Sequence, residues 1–179
     1  MNELLNIVQQ TIKFYIQNKK VPTVEQLEIG NLGVLNQKGC IFITLYKNGE
    51  IRGSAGNVKE IEQSIIHETI KSTIDAISND KRFTPVLENE IKDLKVRIDY
   101  IKERNVISEG KINTLDPLKS GVITISKDYD SLAVILPNIS PKLLTGEDFK
   151  DILESKMKKE FDEKNYYVYE IKTDVVTNY

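Results

Sequence analysis

Residues 41–56 decide the fold: Ile41-Phe42-Ile43-Thr44-Leu45-Tyr46, then Asn48-Gly49, then Glu50-Ile51-Arg52-Gly53-Ser54-Ala55-Gly56. The first run is rich in β-branched and aromatic side chains, which fit a pleated, half-buried surface. Asn-Gly supplies adjacent residues that tolerate positive φ, the requirement of a two-residue hairpin turn. The stretch therefore predicts an antiparallel hairpin whose second strand ends in very small side chains.

The flanking segments supply elements to pack on that hairpin. Upstream, Leu4, Leu5, Val8, Ile12, Tyr15 and Ile16 recur at helical spacing and predict an amphipathic helix over 2–17. A connector over 18–38 contains Pro22 and Gly30, with a short helical turn at 24–27. Downstream, Ile65, Ile66, Ile70, Ile74 and Ile77 share one face of a helix predicted over 60–78. Glu60, Ser64, Glu68, Lys71 and Asp75 fall on the opposite face. Leu94, Val96, Ile98 and Tyr100 then alternate with Lys95, Arg97 and Asp99, the pattern of a strand with one buried face.

A second hairpin joins 122–125 to 132–136 through Lys127–Asp130, and Pro137 stops it because proline cannot continue a ladder. Thr145 with Asp148 three residues on reads as a helix N-terminus. Phe149, Leu153, Met157 and Phe161 follow at helical spacing. Tyr167, Tyr169 and Ile171 alternate in a closing strand, where Tyr166, Tyr167 and Tyr169 are expected to pack in the core and across strands. Hairpin-linked strands with helices between them predict an α+β fold, mainly antiparallel, and a single domain over 1–179.

Apolar residues make up 40% of the 179, enough to bury a core. With 25 basic and 27 acidic residues the formal charge is −2, so no net field draws the chain to nucleic acid or anionic lipid. One cysteine, Cys40, excludes an intrachain disulfide. No run of about 18 apolar residues occurs, and the first residues lack a basic start and apolar stretch. The expected compartment is the cytoplasm, with no membrane contact. One cysteine and one histidine cannot build a zinc finger or an iron–sulfur site, and Asp128-x-Asp130 lacks the rest of a calcium loop. No phosphate-loop or dinucleotide fingerprint is present, and no cofactor is expected.

Several motifs in order resemble the AMMECR family along nearly the whole chain. They are Gly39-Cys40-Ile41-Phe42-Ile43-Thr44-Leu45, Ile51-Arg52-Gly53-Ser54-Ala55-Gly56 and Asp80-Lys81-Arg82-Phe83-Thr84-Pro85. Glu90-Ile91-Lys92-Asp93-Leu94, Gly121-Val122-Ile123, Leu136-Pro137-Asn138-Ile139 and Glu147-Asp148-Phe149-Lys150 complete the series. The resemblance implies an intracellular protein with a larger and a smaller lobe around a cleft near residues 52–56. It also implies a system shared with Memo-like and radical SAM proteins (the AmmeMemoRadiSam type). Nucleotide binding and a role near RNA modification are both compatible with it. Where the family carries cysteine this chain has Ser54, so chemistry built on a thiolate does not transfer.

The candidate ligand-binding residues are Arg52, Gly53, Ser54, Ala55, Gly56, Asp80 and Arg82. Glycines and small side chains let a ligand approach the backbone, and Arg52 offers a planar fork to a phosphate or carboxylate. The competing reading is a strand end with a bulge, where the glycines only permit the bend. Asp80 and Arg82 likewise read either as ligand contacts or as a structural ion pair, with Phe83 plugging the core and Pro85 blocking helix continuation. Three functions follow: a small-molecule, anion or partner-binding accessory protein; an enzyme acting on a nucleobase or modified metabolite, using Ser54, His67 or a carboxylate; or an interaction module without a ligand.

Overall fold

The computed structural model describes residues 2–29 and 33–179; Gly30 of the connector lies outside them. In chain order the main elements are α1 (Asn2–Asn18), β1 (Ile41–Lys47), β2 (Glu50–Gly56), α2 (Ile65–Ile74), β3 (Lys95–Val106), β4 (Gly121–Ser126), β5 (Leu132–Ile135), α3 (Asp148–Met157) and β6 (Tyr166–Thr177). The strands form one sheet in the order β2-β1-β3-β6-β4-β5, which leaves β2 and β5 at its edges. The expected α+β class and antiparallel pairing are both found. Two compact units of unequal size divide the chain: Met1–Tyr100 with Val175–Tyr179, and Ile101–Asp174.

In the larger unit the β1–β2 hairpin closes as the sequence predicts. Asn48 and Gly49 both have positive φ, and Lys47 pairs with Glu50 across the turn. Ile41, Ile43 and Leu45 join Val96 and Ile98 of β3 in a core completed by Leu4, Ile7, Val8, Ile12 and Ile16 of α1 and the isoleucines of α2. Each such side chain contributes on the order of 1.5–3 kcal/mol by leaving water.

Two expectations fail here. Ser64, not Glu60, opens α2: its hydroxyl accepts the His67 N–H. Of the face read as polar, Lys71 is exposed and Asp75 half-buried, but Ser64 and Glu68 are buried, and Thr69, Ser72 and Thr73 between the two faces are covered together with the isoleucines. Thr69 and Thr73 manage this by donating to the carbonyls of Ile65 and Thr69, four residues back. In β3, Arg97 and Asp99 are buried as fully as their apolar neighbours, so the strand is covered on both faces over residues 96–99.

The smaller unit is held by Val122, Ala133, Ile135, Phe149, Leu153, Phe161, Tyr166 and Val168. α3 starts at Asp148 rather than at Thr145, whose backbone N–H instead donates to the Asp148 carboxylate. Lys158 turns left-handed and ends the helix, so Phe161 reaches the core from beyond it. Of the three tyrosines, only Tyr166 is buried, its ring centroid 4.9 Å from that of Phe161. Tyr167 is exposed beside Tyr129.

Candidate functional site

The site grows from an irregularity in the hairpin. Leu45 pairs with Gly53 and Tyr46 with Ile51, leaving Arg52 as the extra residue of a β-bulge. A bulge re-aims the side chain it carries. Here it places the Arg52 guanidinium against Glu90: Nε donates to Oε1 at 3.0 Å and Nη2 to Oε2 at 2.8 Å. Nη1 donates to the Thr84 carbonyl, and Lys47 Nζ adds a bond to Glu90 at 2.8 Å. Arg52 chiefly, and Lys47 after it, draw the Glu90 carboxyl down to about 2. The fork that the sequence offers to a ligand is thus occupied by the protein, and the Arg52 side chain is only 15% exposed.

Glycine serves close packing at both ends of the bend. A Cβ on Gly53 would lie 2.1 Å from the Ala76 carbonyl oxygen, and one on Gly56 2.4 Å from that of Ile41. Ala76 belongs to a π turn, Asp75–Asn79, that extends α2. Such turns are rare and often found at functional sites. Ala55 pairs with Ile43 and packs against the core. Gly53, Ala55 and Gly56 therefore seat β2 against its neighbours.

Directly after the π turn, Asp80 reaches the free edge of β2. Its Oδ2 accepts the Ser54 backbone N–H at 2.8 Å and Arg82 Nη2 at 2.6 Å, while Oδ1 accepts Arg82 Nε at 3.0 Å. Burial pushes the Asp80 carboxyl up, but these bonds outweigh it and hold the group below its usual range. Asp80 in turn raises the pKa of Arg82. Arg82 is 52% exposed, and its Nη1 has no hydrogen-bond partner among the described residues. Its guanidinium lies 5.3 Å from the Phe83 ring centroid. Phe83 is only half-buried; Val86 enters the core in its place.

The Ser54 hydroxyl lies 3.0 Å from the Thr44 hydroxyl, its partner across the hairpin. Thr44 is in turn in register with Arg97, whose guanidinium grips Asp99 through two bonds of 2.7 Å. A row of hydroxyl, hydroxyl and guanidinium thus crosses three strands. The neighbour of the Ser54 hydroxyl is another hydroxyl, not a base, and nucleophilic catalysis requires a base there. His67 bonds elsewhere: its Nδ1 lies 2.8 Å from Ser64 Oγ. The remaining buried carboxylate is Glu68, whose Oε1 accepts Asn57 Nδ2 at 2.6 Å and Ser72 Oγ at 3.2 Å. Burial raises its pKa, and Oε2 has no partner among the described residues.

The structure therefore brings Ser54, Asp80 and Arg82 together and ties Arg52 to Glu90. Sequence reading did not single out Glu90, Thr44, Glu68 or the Arg97–Asp99 pair. Only for Glu90 was a signal present: it lies three residues after Leu87, and its Oε2 accepts the Leu87 N–H as a capping carboxylate does. Among the described residues no three His, Cys, Asp or Glu side chains converge on a metal position, and no helix is long and apolar enough to cross a membrane.

These features define a mixed α+β protein on a six-stranded antiparallel sheet, its glycine-bearing edge strand held by charged side chains. The chain belongs to the AMMECR1 family, whose pattern matches residues 5–175. It is similar to the solved structure of the uncharacterised protein PH0010 from Pyrococcus horikoshii, with a TM-score of 0.80 and 21% identity, over 96% of this chain and 88% of that one. Among curated proteins it is 25% identical over 144 residues to protein Mbar_A1807 of Methanosarcina barkeri, covering 77% of this chain and 68% of the relative. It is also 32% identical over 102 residues to protein CA_C1420 of Clostridium acetobutylicum. That match takes in 57% of this chain but spans only 21% of the relative.

Proposed function

We propose that the protein binds a small anionic or nucleotide-like molecule at the edge of β2, with Arg82 meeting the negative charge and the Ser54 hydroxyl adding a hydrogen bond. The observation that carries this reading is the state of the two arginines. Both grip a carboxylate through Nε and Nη2, but Arg52 on Glu90 is largely covered, whereas Arg82 on Asp80 is half exposed with Nη1 unused among the described residues. A charged fork already held in place loses little side-chain freedom when a ligand arrives. Arg52, Gly53, Ala55 and Gly56 then act as positioning residues. Ser54 binds rather than attacks, since a hydroxyl beside it offers no route for its proton.

The same reading makes the chain an accessory protein rather than a self-sufficient enzyme. The CA_C1420 match supports this, because the similar segment is a minor part of a longer polypeptide. A place beside Memo-like and radical SAM proteins, as the family resemblance implies, belongs to the proposal. Native mass spectrometry of the protein purified from its own cells tests the binding reading. A co-purified small anion, lost in Arg82→Ala and retained in Arg52→Lys, is the expected result. A bound species indifferent to Arg82→Ala, or bare protein that ignores added adenosine monophosphate at millimolar concentration, would remove the site.

A further inference from the structure

A concavity lies in the larger unit, lined by none of the β2 edge residues described above. Its volume is about 330 Å³, and it is lined by Val21, Pro22, Thr23, Val24, Glu25, Glu62, His67, Ile70 and Lys71. That volume falls within the range of ordinary small-molecule pockets. The ionisable groups on its walls are unequally satisfied. Lys71 is paired to Asp75, one turn along α2, so its charge is compensated outside the pocket. His67 has its Nδ1 on Ser64 Oγ, which fixes the ring and leaves Nε2 without a hydrogen-bond partner among the described residues. Glu25 and Glu62 form no ion pair among the described residues. The Glu25 carboxyl is held below its usual range by its own backbone N–H, then by the Thr23 hydroxyl and, least, by the His67 imidazole. The wall thus carries two carboxylates that no lysine or arginine pairs with among the described residues, beside an apolar surface made by Val21, Pro22, Val24 and Ile70.

We propose that this pocket is a separate binding site for a primary alkylammonium group, with Glu25 and Glu62 on the charge and Val21, Pro22, Val24 and Ile70 along the alkyl chain. The sign of the walls selects a cation, and the apolar surface selects one carried on a hydrocarbon arm over a bare ion. An alkylammonium can come from a free amine or from a lysine side chain of another protein, so both sources are tested. The site is independent of the anion site at Arg82, and either can fail alone.

His67 is the only histidine in the chain, so its imidazole C–H resonances in a proton NMR spectrum report on this pocket without assignment of anything else. Titration with n-butylammonium at constant pH and ionic strength is expected to move them along a saturable curve. Isosteric butyrate should leave them in place, and the Glu25→Gln/Glu62→Gln double variant should weaken the butylammonium response at least about tenfold. N-acetyl-lysine amide binding more tightly than butylammonium would assign the site to a protein lysine, and the reverse order to a free amine. No response to either amine, an equal response to butyrate, or an undiminished response in a folded double variant would overturn the proposal.

Discussion

The two edge strands of the sheet are guarded in opposite ways. β2 has seven residues, and charged side chains secure it: Asp80 takes an N–H from its free edge, and Arg52 is anchored both to Glu90 and directly to the Thr84 and Pro85 carbonyls. β5 has four residues and is halted by Pro137, with Leu132 exposed along it. Short length and proline are the inexpensive defence against edge-to-edge pairing; charge is the other. Only the charged defence leaves a cation facing solvent, which is why the ligand reading settles on β2.

Removing the centre of the charged clamp should have the largest effect. Glu90→Ala strands the Arg52 guanidinium, itself mostly buried, and should cost about 3 kcal/mol in chemical denaturation. Arg52→Ala should cost nearly as much. Gly53→Ala comes next, at about 2–3 kcal/mol, because the new methyl group meets a backbone oxygen that cannot rotate away. Arg82→Ala, at a half-exposed pair, should cost only about 1 kcal/mol. On β5, Leu132→Lys should change stability by less than about 0.5 kcal/mol, since nothing in the core depends on it. A β5 effect as large as that of Glu90→Ala would erase the contrast between the edges.

The carboxylates divide in the same way under acid. The folded pKa of Glu90, about 2, lies below its usual 4.5, so the clamp contributes its full stability above 4.5 and loses it as pH falls toward 2. Glu68 has the opposite sign. Its pKa is raised, so it is least costly below 4.5 and destabilises the fold as pH rises through the folded value. Glu68→Gln should therefore raise the melting temperature at neutral pH and give no gain at pH 4. An equal gain at both would show that charge burial is not the cause.

Much of the architecture was legible because hairpin signals are local. Asn48-Gly49, the isoleucine spacing of α2 and Pro137 each act within a few residues. The wet-face readings of Glu68, Arg97 and Asp99 failed because periodicity identifies one buried face and cannot tell whether the other is covered as well. The site was half legible. Asp80 with Arg82 is a contact two residues apart, whereas Arg52 with Glu90 spans 38 positions and depends on a bulge that no spacing reveals. Sequence reading therefore offered the fork of Arg52 to a ligand and left Arg82 open between a ligand contact and an ion pair, whereas in the folded protein Arg52 is the more covered of the two.

The most direct test sets those two arginines against each other. Calorimetric titration with adenosine monophosphate should yield binding to the unmodified protein. Arg82→Ala should lose it by about 1.5–3 kcal/mol, roughly ten- to a hundredfold, while staying folded. Arg52→Ala, titrated below its lowered melting temperature, should bind nearly as well as the parent. Binding that survives in Arg82→Ala and vanishes in folded Arg52→Ala would contradict the account.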